Sequence, residues 1–418
     1  MNFASKLALA AVLSLGTTAL TVAPAAAQKK KDDKNAPAAN QLQVSDEFRK
    51  PAAAAEAAVK AKDWATAEPQ IAAAEAAAKN DDEKFFAASM RLQLELGRGN
   101  EAGQIAPLQV LVASPRSAPD AVGPYNARLN FLLGKAAASQ KKHADVITYM
   151  TKARQLGEKN VDIPLMLANS YAATGKNAEA AAEARNAIEF AKSTGQKAPE
   201  AWYQFAIPKV TASGNREATY DWLAYYLKDY PAVKNWRWAI EVLGQGAKGT
   251  DRAAKTERID LYRLRRITNS LADRGDYADY AYAAQSSGLP WEAISVIEEG
   301  RKNGKLPTTD ADGNRTYTAA QAGVKSSPPL DTLAKQGGAG NADALLAAGD
   351  NARALELYDA ALAKGGADAN EINLHRGIAL QRLGRKEEAK AAFQAVKTGP
   401  YVNVALLWQV SLDTPPLS

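Results

Sequence analysis

Apolar positions along this chain recur three and four residues apart, and no stretch of useful length alternates apolar with polar. The pattern predicts an all-α protein. Segments 165–188 and 374–396 show it most clearly and can be laid over each other. In each, a small residue (Ala168, Gly377) precedes a larger one (Tyr171, Leu380), and a glycine (Gly175, Gly384) follows. Glu179-Ala180 and Glu388-Ala389 come next, then Ala184 and Phe393 at helical spacing. Two antiparallel helices joined by a tight turn approach closely only where Ala or Gly removes side-chain bulk. Glycine at the turn supplies the left-handed backbone that ends the first helix without a Cβ penalty.

The same register extends to other segments. Gly134 stands 34 residues before Ala168, with Ala153 beyond a turn at Lys142-His143. Gly349-Asp350-Asn351 leads into Ala354, Tyr358 and Ala361, and Lys62-Asp63-Trp64 into Ala67, Ile71 and Ala74. Gly214-Asn215 follows Trp202, Tyr203 and Ala206, and a weaker unit surrounds Gly97. These helix–turn–helix units resemble the tetratricopeptide repeat, whose period is about 34 residues. The resemblance implies an α-solenoid of stacked hairpins that grips a protein or peptide partner and carries out no chemistry. It also implies which first-helix positions line the groove: Arg128, Phe131, Lys135 and Ala138 in one hairpin, then Asp162, Leu165, Asn169 and Ala172 in the next. Lys135 and Asn169 suit a carboxylate or a backbone amide, although the family's full lysine–asparagine clamp for C-terminal carboxylates is incomplete here.

Regular hairpins are expected over 45–231 and 341–412, the latter closed by a helix over 402–410, with a tail at 413–418. Between them, 232–340 is expected to be irregular. There 236–245 and 255–272 read as helices without the usual small residues, and 276–287 with 291–303 read as a hairpin. Segments 305–314 and 324–340, rich in Gly, Pro, Asp and Thr, read as loops flanking one irregular helix.

The N-terminus changes the picture of where the protein works. Lys6 precedes an apolar run over 7–22, and Ala25-Ala26-Ala27 offers a cleavage site, which is the pattern of a secretory signal peptide. The run is short and broken by Ser14, Gly16, Thr17 and Thr18, unlike a membrane anchor. A disordered, solvated leader is expected over 28–44. With no cysteine the chain has neither a disulfide nor a site for a cysteine-linked lipid, so a periplasmic or secreted protein without an integral membrane span is expected. The net charge of +6 is small and mixed in sign, which argues against nucleic acid as a partner.

Candidate chemistry is sparse, and no enzyme, cofactor or metal site is expected. His143 and His375 have no metal-ligand spacing to another His or Cys. The run Asp310-Ala311-Asp312-Gly313-Asn314 lacks both ends of a calcium loop and reads as a polar turn. Aromatic residues say more, because half of them fall between Trp202 and Trp291. Adjacent rings such as Tyr225-Tyr226 cannot share a helix face. One reading is a groove that grips peptide or stacks on sugar rings, with Trp202, Tyr225, Trp236 and Arg237 as candidate contacts and a polysaccharide as the alternative ligand. The other is that bulky rings replace small-residue packing where the repeat register loosens.

Overall fold

The computed structural model describes residues 44–244, 249–365 and 368–414. The expected signal segment, nearly all of the leader and the end of the tail lie outside the described residues. The described chain is all-α, a solenoid of helical hairpins built from 21 α-helices and one short 3-10 turn. It divides at Trp202/Tyr203 into two compact units.

Unit 1 contains α1 (Asp46–Lys60), α2 (Trp64–Ala77), α3 (Asp81–Arg98), α4 (Ile105–Ala113), α5 (Pro119–Ser139), α6 (His143–Gln155), α7 (Asp162–Ala173) and α8 (Asn177–Ser193). Each helix packs chiefly on its chain neighbours, as a solenoid requires. Small residues set the spacing. A Cβ built on Gly134 would lie 2.7 Å from the Met150 side chain, and one on Gly97 would lie 2.3 Å from the Trp64 ring. The α7–α8 turn ends as the sequence requires, with Gly175 at φ 76° and the Lys176 amide donating back to Tyr171 O at 2.9 Å. In α1–α2 and α5–α6 the left-handed residue is instead a lysine, Lys62 (φ 57°) and Lys141 (φ 56°).

The unit boundary falls within α9 (Glu200–Ala212). Unit 2 continues with α10 (Arg216–Asp229), α11 (Val233–Gly244), α12 (Arg252–Ile267), α13 (Arg274–Ser286), α14 (Pro290–Lys302) and α15 (Ala311–Ser326). It ends with α16 (Leu330–Gln336), α17 (Ala339–Ala347), α18 (Asn351–Lys364), α19 (Ala369–Arg382), α20 (Lys386–Gln394) and α21 (Tyr401–Asp413). The hairpin around Gly384 repeats the expected geometry, with φ 75° and a Cβ on Gly377 placed 2.4 Å from the Phe393 ring. Unit 2 departs from a simple solenoid at its end. The last helix, α21, covers α20 as expected, but it also returns to pack on α10 and α12.

The loop expected over 305–314 is present as far as Asp310, where a helix begins, whereas 324–340 is mostly helix. Asp310 caps α15 by accepting from the Gly313 amide at 2.7 Å, so this aspartate starts a helix, and α16 occupies much of the second segment. Glycine and proline there punctuate short helices instead of replacing them.

Candidate functional site

The aromatic interval belongs mainly to the core. Tyr203, Tyr220, Trp222, Tyr226, Trp236, Tyr277 and Tyr280 are buried, and of the interval's aromatic rings only Tyr282 is largely exposed. Tyr225 is half-buried, its ring 5.4 Å from that of Tyr203 and 6.1 Å from that of Trp222. Tyr262 stacks on Tyr280 at 5.1 Å. Trp202 is half-buried at the unit boundary. Trp236 is fully buried, so its assignment to a partner-facing surface is corrected: it lies on the inner face of α11 among Ala239, Ile240 and Leu243. Arg237, on the next position, is half-buried and committed to Asp273 at 2.7 Å and Glu241 at 3.0 Å. Bulky rings have taken over the packing that small residues perform elsewhere.

In unit 1 the structure brings Arg128, Phe131 and Lys135 together on α5. Phe131 is also corrected as a contact residue. Its ring is buried, and Arg128 and Lys135 stand over it at 5.3 and 5.6 Å from the centroid. The two cations converge on Glu101: Arg128 pairs with it at 3.2 Å and Lys135 bonds its other oxygen. Burial opposes ionisation of Glu101, but the Lys135 bond and the two positive charges keep its carboxyl below the usual range. Asn169 stands exposed on α7 and is not part of that group.

A cleft of about 430 Å³ lies in unit 1 between α2, α3 and α4. Ala78, Ala87, Ala88, Ala106, Pro107 and Val110 give it an apolar lining, and Glu75, Lys84, Arg91 and Glu95 wall it. Val110 is 39% exposed. Arg91 is held in place by Glu75 at 2.6 Å and by Glu68 and Glu95 at 3.5 Å. Sequence inspection missed this cleft because its alanines look like ordinary close-packing residues.

Unit 2 has a different interior. Arg263 on α12 is 1% exposed and makes a forked pair with Glu292 on α14, with bonds of 2.9 and 2.6 Å. Its remaining nitrogen donates to Asp260 at 3.0 Å. Tyr280 on α13 donates to Glu292. The other oxygen of Asp260 meets His375 Nε2 on α19 at 3.2 Å, while His375 Nδ1 meets Asp343 on α17 at 2.7 Å. Tyr358 on α18 donates to Asp343 at 2.7 Å. Six helices are thus joined through one buried network. Burial disfavours the charged imidazole, but Asp260 and Asp343 on either side push its pKa up to about 10. Burial likewise works against the Glu292 carboxylate, and Arg263 holds it down to about 2.

Asp343, Glu371 and His375 offer ligand atoms within 4.8 Å of one another. Both imidazole nitrogens already face carboxylates as donors, so a cation would have to replace those protons. The group reads as a satisfied ionic core, in keeping with the packing role expected for His375. His143, by contrast, makes only a 3.4 Å contact with Ser170.

No protein-family profile matches the chain, and no curated protein does. Among solved structures it is similar to the pentatricopeptide repeat protein PPR10 from maize, at 13% identity over 87% of this chain and 62% of that one, with a TM-score of 0.25. It is also similar to a Rap protein complexed with Competence and Sporulation Factor (12% identity, 87% and 99% covered, TM-score 0.23) and to yeast Tom70 (13%, 89% and 82%, TM-score 0.18). The chain spans less than two thirds of the maize protein's length. Scores of this size carry no argument about what the chain binds.

Proposed function

We propose that the chain is an exported, non-catalytic scaffold of the bacterial periplasm that holds a peptide segment of a protein partner in unit 1 during cell-envelope assembly. The observation that carries this reading is the open, alanine-lined cleft in unit 1. An extended peptide needs apolar floor for its side chains and fixed charges for its ends and polar groups, and the cleft offers both. Arg128, Lys135 and Asn169 extend the charged and polar contacts along the neighbouring hairpins. The buried carboxylates of unit 2 are paired in the core, which leaves none of them poised for proton transfer. Export is supported by the apolar run after Lys6 and the alanines before Gln28, and no described helix is long and apolar enough to cross a membrane.

A photo-crosslinking residue in place of Val110 should capture one reproducible partner in cells, whereas the same residue in place of exposed Tyr282 should not. Ala88→Arg, which fills the cleft, should abolish the capture. Equal labelling from both positions would overturn the cleft assignment. N-terminal sequencing of the mature protein should begin at Gln28, and a cytoplasmic, uncleaved chain would overturn export. The polysaccharide alternative rests on the rings that are not buried, Trp202 and Tyr225 among them.

A further inference from the structure

We propose that unit 2 carries a binding site for a small phosphate-type oxyanion, in a cavity of about 290 Å³ where α12, α14, α17, α18 and α19 meet. This inference is independent of the peptide reading, which concerns unit 1. The lining includes Arg266, Ser295, Gly349, Asn351 and Arg382, with Glu292 at its inner wall.

Among the arginines around this cavity, Arg382 alone has no carboxylate directly bonded to it. Both oxygens of Glu292 are taken by Arg263, with Tyr280 adding a further bond. Arg266 has Glu299 at 2.7 Å and Ser295 at 2.9 Å. Arg382 has no carboxylate within ion-pair distance among the described residues, and its guanidinium donates to a neutral acceptor, Leu346 O, at 3.0 Å. Burial works against its charge and lowers its pKa from the usual arginine value, although the Glu292 carboxylate attracts it from beyond ion-pair distance. A half-buried cation with no carboxylate at contact gains from a closer anion, and here it borders a cavity large enough to admit one.

A second observation points to the same place. The side-chain oxygen of Asn351, at the first position of α18, is buried and has no hydrogen-bond partner. Oxygen and nitrogen of an amide are assigned from their neighbours. Rotated half a turn, Asn351 presents its NH₂ to an anion instead. The Ser295 hydroxyl accepts from Arg266 and keeps its own proton to donate. Donors arranged around a cavity on several helices suit a tetrahedral oxyanion, and the volume leaves room for a small group attached to it.

The test uses the full-length protein at fixed ionic strength, with inorganic phosphate, glycerol phosphate and chloride as probes. Calorimetry and thermal melting should show saturable binding of phosphate, with chloride inert. Tighter binding of glycerol phosphate would make the natural ligand a phosphomonoester, and equal binding would leave the oxyanion itself as the recognised group. Arg382→Gln should weaken phosphate at least about tenfold, the loss of one charge-assisted contact. Because that variant alters a half-buried site, Ala348→Glu is the companion: its carboxylate should supply a directly bonded partner for Arg382, abolish phosphate binding and leave the melting temperature equal or higher. Arg315→Gln, on the exposed face of α15, should change nothing. No saturable binding of either phosphate, or binding that survives Ala348→Glu, overturns the proposal.

Discussion

The two units use one helical-hairpin plan and fill it in opposite ways. Unit 1 joins its helices through alanine, glycine and aliphatic contacts, and most of its ion pairs lie at the surface, such as Arg98 with Glu68. Unit 2 draws charge and tyrosine inward, with Arg263, Glu292, Asp260 and His375 all buried. The lesson is that a repeat register marks only one way to bring helices together. Where it loosens, large rings and a satisfied polar network do the same work. That substitution makes unit 2 depend on a few irreplaceable contacts, whereas unit 1 distributes its stability over many small ones.

The largest break in this contrast should come from removing one partner of the network. Glu292→Gln or His375→Ala strands a buried charge and should cost about 3–5 kcal/mol, read by chemical denaturation. Tryptophan fluorescence is a fair monitor, because only Trp64 and Trp202 lie in unit 1 and the other five tryptophans lie in unit 2. A loss below about 1 kcal/mol, as exposed pairs give, would contradict the role assigned to the network.

Next in size is a pH effect. In the folded protein His375 is pushed up to about 10, above the ordinary imidazole value of 6.5. Its contribution is therefore complete below about 6.5 and is lost as pH rises towards 10. Glu292 behaves in the opposite sense: its stabilisation holds above about 4.5 and is lost as pH falls towards 2. Unit 1 has the acid limb as well, since burial of Glu83 is outweighed by backbone amides of Lys79 and Ser45 that hold it at about 2. Alkaline unfolding followed by hydrogen exchange should thus open unit 2 first, and His375→Gln should remove that alkaline limb.

Smaller effects separate the turns from the interlocks. Gly377→Val forces methyl groups against Phe393 and should cost about 1–3 kcal/mol in a thermal melt. Lys141→Gly relieves a left-handed non-glycine residue and should stabilise unit 1 by up to about 1 kcal/mol. If the lysine variant destabilises instead, the side chain contributes packing that outweighs its backbone strain.

The hairpins at Gly175 and Gly384 were legible in the sequence because their information is local: a small residue, a turn and a second small or aromatic residue within one repeat. The reading of half the aromatics as replacement packing also agrees with their burial. Phe131 and Trp236 were misplaced because a register gives a helix face without saying how deeply the neighbouring hairpin covers it. The ionic core had no local signal at all. Asp260 and His375 meet across 115 positions of sequence, and each resembles an ordinary polar residue on an amphipathic helix. That Arg382 bonds a carbonyl instead of a carboxylate is legible only once its neighbours are assigned.

The return of α21 onto α10 and α12 has an evolutionary consequence. Unit 1 can accept a duplicated hairpin at the cost of remaking one neighbour contact on each side, so its length is free to drift among descendants. An extra hairpin between α12 and α20 of unit 2 would carry the last helix away from the two it must reach. Natural variants of this chain should therefore differ in the number of hairpins before Trp202 and agree in the number after it.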